Sequence, residues 1–157
     1  MLVISETTPA SDEATLLIRE LDAELLRLYP PEDIHGLSPE EHTHFEGVFL
    51  VAHLDGQLAG CGALRLLGPD AGEIKRMYVR PASRGRAVAR NVLAALERHA
   101  RNYGLTVARL ETGTKQEAAQ RLYESSGYAR IACYGEYAGG SYSVCYEKQL
   151  VHPKTME

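Results

Sequence analysis

The stretch EIKRMYVRPASRGRAVARNVLAALE, Glu73 to Glu97, decides how the rest of the chain is read. Its first part, Glu73 to Val79, reads as a strand that Pro81 ends. From about Gly85 to Tyr103 the apolar residues Val88, Val92, Leu96 and Ala100 recur at spacings of four, which predicts an amphipathic helix closed by Gly104. Between and around these elements lie Lys75, Arg76, Arg80, Arg84, Arg86 and Arg90, with no Asp or Glu from 75 to 90. A helix start leaves about four backbone N–H groups unpaired and carries partial positive charge. Guanidinium forks add full charges suited to phosphate oxygens, and Gly85 leaves room for a close approach. The junction therefore predicts a phosphate site. GxxxxGK[ST] is absent, and a single glycine does not make GxGxxG, so neither nucleotide-loop pattern applies.

Outward from this core, Met1 to Ser5 reads as a weak strand, and Ser11 as the cap of a helix to about Leu28 with a Leu17, Leu21, Leu25, Leu28 stripe. Tyr29-Pro30-Pro31 stops that helix. A polar loop runs to about Glu46, with a short helix expected after Ser38-Pro39. Val48 to His53 and Leu58 to Leu66 form a hairpin about Asp55-Gly56, and Glu73 to Val79 continues the meander. Beyond the central helix come a strand at Val107 to Glu111, a helix at Gln116 to Ser126 stopped by Gly127, and strands at Tyr128 to Cys133 and Tyr142 to Lys148. The expected architecture is α/β (α+β): a mixed, mostly antiparallel central sheet of six to seven strands flanked by about four helices, in one domain over residues 1–157.

Composition narrows the function. The net charge of −4 argues against general affinity for nucleic acid. The six cations of the junction leave 11 basic residues against 21 acidic ones elsewhere, so a small concentrated anion is the better partner. No apolar run approaches a membrane span, and the amino end is not expected to be a signal peptide. Cys61, Cys133 and Cys145 are an odd number without CxxC spacing; neither a disulfide framework nor a zinc site is expected, and the reading is cytoplasmic.

The quoted run resembles the acetyl-CoA-binding core of the GNAT N-acetyltransferase superfamily. The family pattern Arg/Gln-x-x-Gly-x-Gly/Ala meets Arg84-Gly85-Arg86-Ala87-Val88-Ala89, with Ala87 where glycine is usual. Alanine suits helical backbone angles, so the expected cost is weakened or shifted binding rather than loss. QEAAQRLYESSGY, Gln116 to Tyr128, resembles the later motif that ends Leu-Tyr-Glu-x-x-Gly-Phe/Tyr, with Gln116 in place of the common asparagine. The resemblance spans roughly Val48 to Lys148, with the cofactor core at about 73–128. It implies direct acetyl transfer from acetyl-CoA to a primary amine of a small molecule or peptide. It places Met77, Tyr78 and Val79 along the pantetheine arm and Arg84 to Arg90 (with Gly85, Arg86, Ala87, Val88 and Ala89) on the pyrophosphate. Gln116 is a further cofactor contact, Glu73 the base, through water, and Tyr123 the acid. A homodimer is the usual state it implies.

Other patterns carry less. His44, in the His-x-His of residues 42–44, is an acceptor-pocket candidate by position, for an amine or a carboxylate; Glu136 and Tyr137 near the carboxyl end are candidates because aromatic walls with one acid suit a small cationic amine. No third ligand at a telling spacing supports a metal. No histidine pairs with a cysteine in sequence, which disfavours thiol catalysis. Two rivals stand beside the enzyme: a non-catalytic acyl-CoA sensor of the same fold, and an interaction protein whose basic turn meets an acidic partner.

Overall fold

A computed structural model describes residues 1–34 and 46–150. The elements run β1 (Leu2–Thr7), α1 (Asp12–Leu28), β2 (Gly47–Leu54), β3 (Gln57–Leu66), β4 (Ala71–Val79), α2 (Val88–Asn102), β5 (Val107–Gly113), α3 (Glu117–Ser125), β6 (Ala129–Ile131) and β7 (Ser143–Gln149). Seven strands make one sheet in the order β1-β2-β3-β4-β5-β7-β6. Every neighbouring pair is antiparallel except β4 with β5, which run parallel because α2 crosses between them. Three α-helices are present among the described residues, against about four expected; the short helix expected after Ser38-Pro39 lies outside the described residues.

The helices cover both faces. Ser11 caps α1, its hydroxyl accepting from the Ala14 N–H at 3.2 Å. The buried stripe of α1, Ala14, Leu17, Ile18 and Leu21, packs on Phe49, Val51, Cys61, Ala63 and Tyr78. On the opposite face Val88, Val92, Leu93, Leu96 and Ala100 of α2 meet Leu50, Ala52, Leu64 and Ile74. Period-two alternation along β2 and β3 sorts these apolar residues between the two layers. Leu25, lower on the α1 stripe, is partly buried against the core under that helix and, with Leu28, also lines a cavity.

Two departures from regular pairing shape that cavity. Cys61 pairs with Tyr78 and Ala63 with Lys75, so β4 carries one extra residue, at a bulge where Arg76 has φ 59°. The Cys61 thiol donates to the Arg76 carbonyl at 3.2 Å within this bulge. Parallel pairing of β4 with β5 runs only from Ala71–Val107 to Ile74–Leu110, although the strands continue to Val79 and Gly113. Beyond Ile74 they part, and the β4 edge facing β5 is open. Near the carboxyl end, β6 stops at Ile131 instead of reaching Cys133; the chain turns through Gly135–Tyr137, and Cys133 is bonded to Cys145. The pairing corrects the expectation from cysteine count: register, not sequence spacing, brings the two thiols together, because Ile131 already faces Cys145 across the β6–β7 pair.

Candidate active site

A cavity of about 830 Å³ lies where β4 and β5 part, walled by α1, the β4–α2 junction and α3. Its anion end follows from backbone geometry. Pro81–Ser83 forms a single turn of 3-10 helix, Gly85 has φ 79°, and α2 begins at Val88 rather than at Gly85. The first helical bond runs from Asn91 N–H to the Ala87 carbonyl, and no side chain caps the start. The N–H groups of Val88, Ala89 and Arg90 thus stand ahead of the ladder, and all three residues line the cavity. No atom lies within 4 Å of where a Cβ would stand at Gly85. Ala87 has φ 62° and ψ 20°, left-handed rather than helical. The departure from the glycine pattern therefore falls where an L side chain costs roughly 1 kcal/mol or more, a consequence the helical-angle expectation missed.

The arginines are less exposed to a ligand than the carboxylate-free run implies. α1 supplies the missing acids from the opposite wall. Glu20 takes Arg80 through Nε at 3.1 Å and Nη2 at 2.7 Å, and this guanidinium holds the Glu20 carboxyl below its usual range. Asp22 accepts from Arg76 at 2.8 Å, and Glu24 from Arg84 at 2.7 Å. Arg84 also donates to the Val79 carbonyl at 2.9 Å. Arg90 instead reaches the hydroxyls of Ser125 and Ser126, at 2.9 and 3.3 Å. Arg86 does not line the cavity; it is exposed, 3.7 Å from Asp55.

Met77, Tyr78 and Val79 line the cavity along the open β4 edge, as their expected contact with an extended amide-bearing arm requires. Gln116, at the cap position of α3, also lines it, its Oε1 accepting from the Gly113 N–H at 3.0 Å. The Tyr123 ring sits on the cavity from α3, in edge-on contact with Tyr128 at 5.9 Å. Burial raises its phenol well above the ordinary value, with the charge of Glu111 adding to the effect.

Glu73, the expected base, and Glu111, which no motif singled out, lie on different sides of the cavity wall. Glu73 is 1% exposed and is not among the residues lining the cavity. Its Oε1 lies 2.9 Å from Arg65 Nη2 and 3.7 Å from Lys75 Nζ, and Tyr134 donates to its Oε2 at 2.8 Å. Glu111, near the carboxyl end of β5, does line the cavity. Burial pushes its carboxyl up to about 7, against a hydroxyl donated by Ser143 at 2.9 Å and the charge of Lys75. One signal for Glu111 was available in the sequence: an acid at the carboxyl end of a strand that pairs in parallel, where open sheets place their ligands.

Of the acceptor candidates, Tyr137 is on the cavity, buried, its hydroxyl accepting from Lys75 Nζ at 2.8 Å. Glu136 is exposed and off the cavity, and His44 lies outside the described residues. Tyr29, Lys115 and Tyr142, which belong to neither motif, line the same end; the Lys115 ammonium stands 5.8 and 5.2 Å from the two ring centres.

A strand parting at a bulge, an uncapped helix start and a buried tyrosine on the next helix define an acyl-CoA transferase fold. The chain belongs to the acetyltransferase (GNAT) family, whose model matches residues 16–128, reaching back into α1 beyond the part read from motifs. It is 37% identical over 150 residues to an IAA acetyltransferase of Azospirillum brasilense, covering 95% of this chain and 98% of that one. A solved structure from Klebsiella pneumoniae, named among the acyl-CoA N-acyltransferases, superposes with a TM-score of 0.81 at 35% identity, covering 96% of this chain and 99% of that one. The PaiA N-acetyltransferase of Thermoplasma acidophilum, solved with coenzyme A, shares the fold at 18% identity and a TM-score of 0.71, covering 95% and 98%. The chain is thus an acyltransferase. Among the described residues, no helix is long and apolar enough to cross a membrane, and no cluster of His, Cys, Asp or Glu could hold a metal.

Proposed function

We propose that the chain transfers an acetyl group from acetyl-CoA directly to a primary amine of a small molecule or peptide. What supports this reading is that one cavity joins the uncapped start of α2, the unpaired edge of β4, Glu111 and Tyr123. The backbone groups of Met77 and Val79 would pair with the amides of the pantetheine arm as an added strand does. The N–H groups of Val88, Ala89 and Arg90, with the Arg90 guanidinium, would hold the pyrophosphate. Bound there, the thioester supplies the activated acetyl group.

The protein's own groups then move protons. Glu111 takes one from the ammonium of the acceptor, directly or through water; a carboxyl at about 7 is half ionised near neutrality and a base of suitable strength. The freed amine forms the new C–N bond while the C–S bond breaks. The Tyr123 hydroxyl, kept protonated by burial, gives its proton to the departing thiolate, and the surplus proton left on the acylated nitrogen returns to Tyr123 through water, so that amide, thiol and neutral tyrosine result. Glu73 is the buried counter-charge that holds Arg65 and Lys75 in place.

Release of free thiol from acetyl-CoA across an amine panel tests the reading. Glu111→Gln and Tyr123→Phe should each lower kcat by about 10²–10⁴-fold while coenzyme A affinity, read by calorimetry, barely moves. If wild-type protein binds acetyl-CoA yet releases no thiol with any amine, the transferase reading fails in favour of an acyl-CoA sensor.

A further inference from the structure

The acceptor end of the cavity carries an unexpected charge pattern. Glu111 lies close enough to Tyr29, Lys75 and Tyr123 for their charges to perturb one another. Tyr137 reaches the same place through its 2.8 Å contact with Lys75. Lys115 closes it from the β5–α3 turn, its Nζ donating to the Leu28 carbonyl at 2.9 Å and standing over Tyr29 and Tyr142. The cations at this end are Lys75, paired with Glu73 behind it at 3.7 Å, and Lys115; the acids on the cavity are Glu111 and Asp33, with Glu73 and Glu136 acting on Glu111 from outside it. The acid placed to cradle a cationic acceptor, Glu136, is outside the cavity, and Glu111 is half protonated at neutrality.

Lys115, whose ammonium meets a carbonyl and two tyrosine rings but no carboxylate among the described residues, suits an acceptor whose amine is accompanied by an anion. We propose that the acceptor is an aliphatic primary amine that carries both an aromatic ring and a carboxylate, the carboxylate held by Lys115 and the ring set against Tyr137 and the edge-packed Tyr29–Tyr142 pair. The inference rests on the transferase reading and names its substrate class. Lys115 is the accessible cation, exposed on its turn and with ammonium hydrogens beyond the one given to Leu28, so it makes the direct contact. Lys75 is nearly buried and supplies field. The same positive field favours the neutral form of the amine, which is the form that attacks.

Matched acceptors test this: phenylalanine, its decarboxylated counterpart phenethylamine, and phosphoethanolamine as an anion of different shape. Thiol release gives kcat/KM for each, and calorimetry on the coenzyme A-loaded protein gives binding without turnover. Wild type should prefer phenylalanine to phenethylamine by tenfold or more, chiefly through KM. Lys115→Met should lower that ratio at least tenfold, and Lys115→Arg should restore most of it. Phosphoethanolamine outperforming phenylalanine would replace the carboxylate with a phosphate and overturn the proposal as stated. So would phenethylamine matching phenylalanine, or Lys115→Met lowering both equally. If no acceptor releases thiol but phenylalanine binds in a Lys115-dependent way, the carboxylate site stands and the transferase reading falls; if phenylalanine neither reacts nor binds, the carboxylate site falls.

Discussion

Replacing Glu111 with glutamine should make the protein more stable and less active, with both effects tied to one titration. In the folded chain burial raises the Glu111 carboxyl from 4.5 to about 7. Because the folded pKa is the higher one, the folded state binds more protons than the unfolded state between those values, and stability falls as pH rises through that window. The loss is complete above about pH 7. At about 1.4 kcal/mol per pH unit it amounts to roughly 3 kcal/mol, an upper bound for a group not wholly shut off from water. Glutamine has the same shape, accepts the Ser143 hydroxyl through its carbonyl, and bears no charge to desolvate. Urea unfolding of wild type and Glu111→Gln at pH 4, 6 and 8 should show little difference at pH 4. Glutamine should be ahead by up to about 3 kcal/mol at pH 8, or roughly 6–12 °C in Tm for a chain of this size. The rate should run the opposite way: kcat/KM for wild type rises tenfold per pH unit below about 7 and levels above it, and the variant lacks that limb. Equal stability of the two proteins at pH 8, or a rising limb that survives in Glu111→Gln, would refute both the assigned burial and the assigned base.

Three further substitutions probe the cavity walls. Ala87→Gly removes the Cβ from a left-handed residue, and thermal unfolding should show a gain approaching 1 kcal/mol, with coenzyme A affinity unchanged or tighter; a loss of stability would mean that Ala87 is not held at positive φ. Glu24→Gln frees Arg84 from its 2.7 Å partner, so coenzyme A should bind severalfold more tightly at low salt and the gain should shrink as salt rises; weaker binding would show that Glu24 positions Arg84 for the ligand instead of competing with it. Cys133→Ser opens the link to Cys145, which closes a separation of 12 residues, and should cost about 3 kcal/mol under oxidising conditions by the loop-entropy estimate and close to nothing in excess dithiothreitol. The same cost in both conditions would mean that packing of Cys133, not the bond, is what the substitution removes.

What could be read from residues alone was whatever short-range periodicity or local backbone chemistry controls. The α2 stripe, the Pro81 stop, the Asp55-Gly56 hairpin and the Ser11 cap are all properties of neighbouring residues, and each stands where the pattern placed it. The misread features depend on partners distant in sequence. Glu73 opens a strand beside a turn, and nothing near it in sequence shows that Arg65 on β3 and Tyr134 beyond β6 enclose it. The arginine run looked unbalanced because its acids are some 54 to 60 residues away on α1. Ala87 was judged by the helix that follows it, whereas the turn that precedes it sets its φ.

α1 links these corrections. Its buried face fastens it to β2, β3 and β4, while Glu20, Asp22 and Glu24 tie its far side to Arg80, Arg76 and Arg84. The three ion pairs run from one helix to the β4 bulge and to the turn that carries the anion site. A diphosphate that draws Arg84 toward the α2 start must do so against Glu24, whereas Arg80, gripped at two points by Glu20, has less freedom to follow. Binding strength at the anion end is therefore coupled to the seating of α1. The lower part of that helix, Leu25 and Leu28, together with Tyr29 just past its end, walls the acceptor side of the same cavity. A change at Glu24 should consequently be felt in the KM of the acceptor as well as in coenzyme A affinity, and a Glu24→Gln variant in which only the latter moves would show that α1 is too firmly packed to transmit it.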